Sequence, residues 1–221
     1  MELAFQHNCY VTIFAARCTI DSAARTLEIP GSGIVSENLQ RLVRFASLER
    51  MKTVAHRQDI ISEELNYVAN RLTVHAHWMA FILLAGEGGK ITFKAHYSSS
   101  DIQGLVARAL NKDVDKISSD LISDFMREYC NLTAGVIKAK LAEVGIHTGL
   151  SIPIVTRGFD EIWRMDRDVS NEIISIDAWH LKWPSGSVIC TMAARADVWA
   201  AAQDLKDPSG DAGAESDMEF L

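Results

Sequence analysis

The sequence predicts an α/β chain of the α+β sandwich kind: a mixed, largely antiparallel sheet covered by long helices. Three observations carry this. An apolar run and an alternating run flank a glycine-rich turn between Trp78 and Tyr97, which is hairpin chemistry. Two stretches, one from Ser36 and one from Ser118, repeat apolar residues at helical spacing. Three strand-like runs close the chain, so the order α, ββ, αα, βββ calls for a sheet with helices packed on it.

Taken in order, Cys9 to Ala15 reads as a short strand and Ser22 to Leu27 as a helix, before Pro30-Gly31-Ser32-Gly33 interrupts the chain. About thirty residues cannot build a core of their own, so this part is expected to dock on the main body. From Ser36, Leu39, Leu42, Val43, Phe45 and Ala46 share a helical face. A further helix is expected over Asp59 to Leu72, with Ile61, Leu65, Val68 and Leu72 on one side. The hairpin follows: Trp78 to Ala85, the turn Gly86-Glu87-Gly88-Gly89, then Ile91, Phe93, Ala95 and Tyr97 alternating with polar residues. Ser100 is expected to cap a helix running to about Leu110. The final strands are expected at Thr148 to Thr156, Glu172 to Lys182 and Ser187 to Ala194, the last two joined by Trp183-Pro184-Ser185-Gly186.

The second long helix holds the chemistry. Ser118 or Ser119 is a fitting N-cap, Asp120 and Asp124 favour the positive helix start, Lys138 and Lys140 its end, and Gly145 a C′ stop. At about 100° per residue, Ile122, Phe125, Met126, Tyr129, Leu132, Val136, Ile137 and Val144 make one apolar arc. Asp124, Arg127, Glu128, Asn131, Gly135 and Lys138 fall on the other, so Glu128 and Asn131 point outward together. Gly135 costs the helix about 1 kcal/mol relative to alanine. Either another element packs tightly there, or the bare patch lets a partner's backbone come close.

Composition bounds the function. With 221 residues, 48% of them hydrophobic, there is material for one core. Net charge is −7, and beyond Ala200 six acids face one lysine, so the imbalance sits mostly in a tail expected to be disordered from 203 to 221. No basic stripe suits a nucleic-acid partner. No apolar run reaches the roughly 20 residues a membrane span needs, and Met1-Glu2-Leu3-Ala4-Phe5 is no signal-peptide start, so a cytoplasmic location is expected. Cys9, Cys18, Cys130 and Cys190 form no C-x-x-C pair and are expected reduced.

Other signals fall short. His75-x-His77, with His96, has no carboxylate or cysteine at ligand spacing, so no metal site is expected. Gly86-Glu-Gly-Gly-Lys90-Ile-Thr92 misses the spacing of a phosphate loop and leads into a strand. Cys130 faces the buried side of its helix, the wrong setting for a nucleophilic thiol. The tryptophans at 163, 179, 183 and 199 read as core or edge cover.

The stretch Glu128-Tyr-Cys-Asn131-Leu-Thr-Ala-Gly135-Val-Ile-Lys138, closing at Gly145, resembles the motif helix of the CheC/CheX/FliY chemotaxis phosphatases. That helix reads E-x-x-N, a small residue and glycine, then an amphipathic run. Ala85-Gly86-Glu87-Gly88-Gly89 resembles the family's G-x-x-G strand turn, and Ser151-Ile-Pro153-Ile-Val-Thr-Arg-Gly158 its P-x-x-x-x-G strand. The resemblance spans roughly 60–195 and implies a CheX-like domain at 59–200, an N-terminal extension at 1–58 and an acidic tail at 201–221.

The resemblance further implies a phosphatase of a phosphorylated CheY-like response regulator. Glu128 would dock the regulator's lysine and Asn131 would orient a water at the aspartyl phosphate. Asp124, Gly135 and Lys138 would border the partner. Mg²⁺ would come from the regulator, with no cofactor bound by this chain, and the family implies a homodimer. Glu63 and Asn66, also E-x-x-N, would be a degenerate second motif on the preceding helix, with Asn70 where the glycine should be. The alternative is a non-catalytic module on the same fold that binds a regulator or flagellar component. Exposure of Glu128 and Asn131 favours catalysis; their burial by residues 1–60 favours the alternative.

Overall fold

The computed structural model describes residues 32–65, 71–74, 76–87, 89–158, 161–164, 174–195 and 200–206. Helix α1 (Ser32–Val54) leads to strands β1 (Ile61–Glu64) and β2 (Arg71–Val74), then to the hairpin β3 (Trp78–Gly86) and β4 (Gly89–Tyr97). Helix α2 (Ser99–Ala109) and a 3-10 turn at Val114–Lys116 precede helix α3 (Ser119–Glu143). Strands β5 (Thr148–Leu150), β6 (Ile154–Arg157), β7 (Glu161–Arg164), β8 (Ile174–Trp183) and β9 (Gly186–Arg195) follow, and a 3-10 turn covers Ala200–Asp204. The expected strand at 9–15 and helix at 22–27 lie outside the described residues.

The main sheet has seven strands in the order β1-β8-β9-β4-β3-β5, with β6 also on β3, and every pairing is antiparallel. Strands β2 and β7 pair separately. Alternation along the hairpin buries Ala80, Ile82 and Leu84 of β3 and Ile91, Phe93, Ala95 and Tyr97 of β4. These join Trp179, Leu181, Cys190 and Met192 of β8 and β9 and the apolar faces of all three helices in one core. On the far face a smaller cluster gathers Ile176, Ile189 and Ala193 around Ala178.

Two glycines of the strand motifs have packing reasons. A Cβ on Gly86 would sit 2.3 Å from the His147 carbonyl oxygen, and one on Gly158 equally close to that of Ala76. Both let strand ends meet without a side chain between them.

One expected element is corrected. Asp59 to Leu72 is not a helix: Ile61–Glu64 forms β1, paired with β8 from Ile61↔Lys182 to Glu64↔Trp179, and Arg71–Val74 forms β2. Apolar residues at 61, 65, 68 and 72 mimic a helical period, but pairing with β8 satisfies the backbone of this edge strand, and Glu63 reaches the Lys182 ammonium. The expected strand 148–156 is split: Ser151 bridges to β3 by its N–H on the Leu83 carbonyl oxygen and its Oγ accepting from the Leu83 N–H. Ile152 bulges outward there, 82% exposed. Residues 203–206, expected to begin a disordered tail, are placed instead: the turn at Ala200–Asp204 seats Ala202 in the core, and the Asn38 amide of α1 donates to the carbonyl oxygens of Ala202 and Gln203.

The topology has an internal two-fold repeat. Helix α1, edge strand β1 and hairpin β3–β4 correspond to helix α3, edge strands β5–β6 and hairpin β8–β9. Exchanging the two sets reverses the strand order into itself, so each edge strand pairs with the other half's hairpin. The long helices even end alike. His56 (φ 48°) and Gly145 (φ 80°) are left-handed, and each end closes with the same two backbone bonds: His56 to Thr53 and Arg57 to Lys52, Gly145 to Ala142 and Ile146 to Leu141.

Candidate functional site

Helix α3 begins where Ser118 Oγ accepts from the Leu121 N–H (3.3 Å) with Asp120 in the first turn, and it stops at Gly145. Its core face, Ile122, Phe125, Met126, Tyr129, Cys130, Ala134, Ile137 and Leu141, is buried against the sheet and α1. That fixes which residues look outward. Asp124, Arg127, Glu128, Asn131 and Lys138 are exposed.

Glu128 and Asn131 stand one helical turn apart on the open face, and α1 leaves both uncovered. Neither makes a hydrogen bond or ion pair among the described residues, and neither does Lys138. Asp124 differs: its carboxylate is taken by Arg127 at 2.5 Å, an exposed i, i+3 pair that contributes about 0–1 kcal/mol. The spacing of Asp124 and Arg127 was the sequence signal for that pairing. Gly135 adjoins open space, since a Cβ there would meet no heavy atom within 4 Å. Tight packing therefore does not explain this glycine.

The expected second motif does not start on a helix. Glu63 stands on strand β1 and pairs with Lys182, while Asn66 lies outside the described residues. The repeat partner of α3 is α1, which carries Glu37 and Gln40 at the same spacing, a pair the helical reading of 59–72 obscured. There the Gln40 amide is spent on Ser175 Oγ and the Ile176 carbonyl oxygen, both at 3.3 Å, and Glu37 lies 4.0 Å from Arg41. In the next turn the Arg44 guanidinium forks onto Asp177 at 2.6 and 2.7 Å. Of these two helices, α3 alone keeps a pair unengaged among the described residues, beside a bare surface.

Burial pushes the Cys130 thiol well above its ordinary range and the Cys190 thiol up to about 12, so neither supplies a thiolate. His77 is exposed, and His96 is buried with its Nε2 3.2 Å from Thr191 Oγ1. No group of three metal-ligating side chains occurs among the described residues, and no helix among them is long and apolar enough to cross a membrane. Chemically, the open face offers one carboxylate and one neutral amide. The amide both donates and accepts, so it can hold a water without repelling an anion.

Residues 79–177 match the family model described as chemotaxis phosphatase CheX, from the start of β3 to the middle of β8. No curated protein matches the chain by sequence. Among solved structures, a CheC-like superfamily protein from Shewanella sp. PV-4 superposes with a TM-score of 0.56 at 16% identity, over 71% of this chain and 97% of the other. A putative chemotaxis protein from Desulfovibrio vulgaris Hildenborough gives 0.53 at 20% identity, over 72% and 96%. The CheX of a CheX–CheY–BeF3–Mg²⁺ complex from Borrelia burgdorferi gives 0.51 at 13% identity, over 69% and 94%.

Proposed function

We propose, from the match of residues 79–177 to the family model described as chemotaxis phosphatase CheX, that this chain dephosphorylates a CheY-like response regulator, with Asn131 and Glu128 as its working side chains. The observation that carries the reading is the unengaged pair on the open face of α3, beside the bare surface at Gly135.

An acyl phosphate is already reactive, so the enzyme's task is to place water in line with the bond that breaks. The Asn131 amide holds that water. The water oxygen bonds to phosphorus as the bond from phosphorus to the aspartyl oxygen breaks. The regulator's carboxylate leaves, and the water's protons pass to phosphate and solvent. Glu128 pairs with a lysine of the regulator and sets the helix in register. Gly135 lets the partner's backbone approach, and Lys138 borders the contact. Mg²⁺ would come with the regulator and would screen the phosphoryl charge. The reaction takes place in the cytoplasm.

We further read the chain as a homodimer through the β5–β6 edge. Leu150, Ile152 and Ile154 are exposed there, and an apolar edge with no further strand on it among the described residues invites a second strand.

Steady-state phosphate release from a phosphorylated CheY-type regulator separates the two roles. Asn131→Ala should lower kcat by about a hundredfold with little change in KM, the scale of losing in-line placement. Glu128→Ala should act mainly on KM, as expected for a docking contact. A protein that binds the phosphorylated regulator and never speeds its decay would instead be the non-catalytic module.

A further inference from the structure

Tyr129 lies between the two motif residues, fully buried and tied to the other half of the repeat. Its hydroxyl donates to the Ser47 carbonyl oxygen of α1 at 3.2 Å and sits 3.5 Å from Cys190 Sγ on β9. The ring meets Phe93 edge-on, centroids 5.9 Å apart. Ser47 is held in turn. Its Oγ accepts from Trp179 Nε1 at 3.1 Å and donates to the Arg44 carbonyl oxygen at 2.8 Å. The Arg44 guanidinium, forked onto Asp177, lies over the Trp179 ring at 5.9 Å. The acceptor that Tyr129 reaches is thus part of a helix pinned to β8.

A phenylalanine would fill the same volume. The hydroxyl must find a partner once buried, and the partner it finds gives it a direction. On a helix of about 100° per residue, Tyr129 stands roughly opposite the mean direction of Glu128 and Asn131. Its anchor therefore governs how far α3 can roll about its axis. A roll of about 10° moves a side-chain tip, at a radius of about 5–6 Å, by about 1 Å. A misplacement of that size costs about a hundredfold in rate.

We propose that Tyr129 is a positioning residue: through Ser47 it sets the roll of α3 and so the stance of Glu128 and Asn131, with α1, the repeat helix whose own pair is engaged, as the brace. The effect on turnover rests on the phosphatase reading; the effect on the helix does not.

The test compares Tyr129→Phe with Thr191→Val in the full chain. Tyr129→Phe loses the hydroxyl's contacts with the Ser47 carbonyl oxygen and Cys190 Sγ, whereas Thr191→Val loses the buried contact with His96 Nε2 and none of the bonds of Tyr129 or Ser47. In Tyr129→Phe, kcat for phosphate release from a phosphorylated CheY-type regulator should fall about tenfold, for a partial loss of placement, with KM within about twofold. The amides of residues 128–135 should exchange with solvent faster than in Thr191→Val, whose kcat stays at the wild-type value. Equal turnover in all three proteins overturns the proposal, as does a fall in both variants that simply follows their melting temperatures. If wild type does not release phosphate, the phosphatase reading fails. Amide exchange then decides the anchor alone, and equal α3 protection in the two variants overturns it.

Discussion

Gly135 is a cost that the fold does not require. A glycine inside a helix loses about 1 kcal/mol against alanine, and here a Cβ would meet nothing within 4 Å. Gly135→Ala should therefore stabilise the protein by about 0.5–1 kcal/mol in urea unfolding. Gly135→Trp should fold as well as wild type yet abolish acceleration of phosphate release. A destabilised alanine variant would mean the space beside α3 is not open. The exposure of Glu128 and Asn131 was legible in the sequence because the apolar arc of α3 is long enough to fix its phase. The engagement of Gln40 and Arg44 with β8 was not, since it depends on two elements more than a hundred residues apart in the chain. A pH effect also belongs to single residues. Burial, with the Lys182 charge nearby, lowers the His180 pKa below its ordinary 6.5. The unfolded chain then binds the proton more readily, so stability should fall as pH drops from 6.5 through the folded value, and His180→Gln should flatten that slope in pH-dependent melts.

Among the elements, those with many turns or clean alternation were readable: α1, α3, the β3–β4 hairpin and the β8–β9 pair. The misreading at 59–72 has a physical cause. A four-residue edge strand is too short to display a period of two, and its identity comes from β8, which lies far along the chain. The same junction holds α1 down. Asp177 is 3% exposed and binds a guanidinium that also reaches Glu64, whose own side chain is 80% exposed. Removing the carboxylate leaves Arg44 with that solvated carboxylate and the Trp179 ring, so Asp177→Ala should cost about 2–3 kcal/mol, somewhat less than breaking a wholly buried pair. Chemical denaturation measures it, and a loss under about 0.5 kcal/mol, typical of a surface pair, would deny the junction a structural role.

For the whole molecule, the repeat explains why the fold extends beyond the residues that the CheX family model covers. That match stops at Asp177, yet β9 sits at the centre of the sheet between β8 and β4. At the other end, α1 gives Leu39, Leu42, Val43, Ala46 and Met51 to the same core as β3 and β4. A chain begun at residue 59 should thus fail to fold cooperatively, and circular dichroism melts would reveal it. A sharp transition in that fragment would make α1 a true appendage. Composition could not disclose this dependence, because a helix that seals a core and one that decorates it share the same apolar spacing. The two-fold arrangement also pairs α1 with α3, and among the described residues α3 alone of the two leaves its carboxylate–amide pair unengaged. The proposed function places this pair, on α3, at the hydrolysis of a regulator's aspartyl phosphate. The most direct measurement is the decay of a phosphorylated CheY-type regulator in the presence of wild type and of Asn131→Ala at equal concentration. Faster decay with wild type and the regulator's own rate with the variant is the expected result; decay that wild type leaves unchanged, or that the variant speeds equally, contradicts the claim.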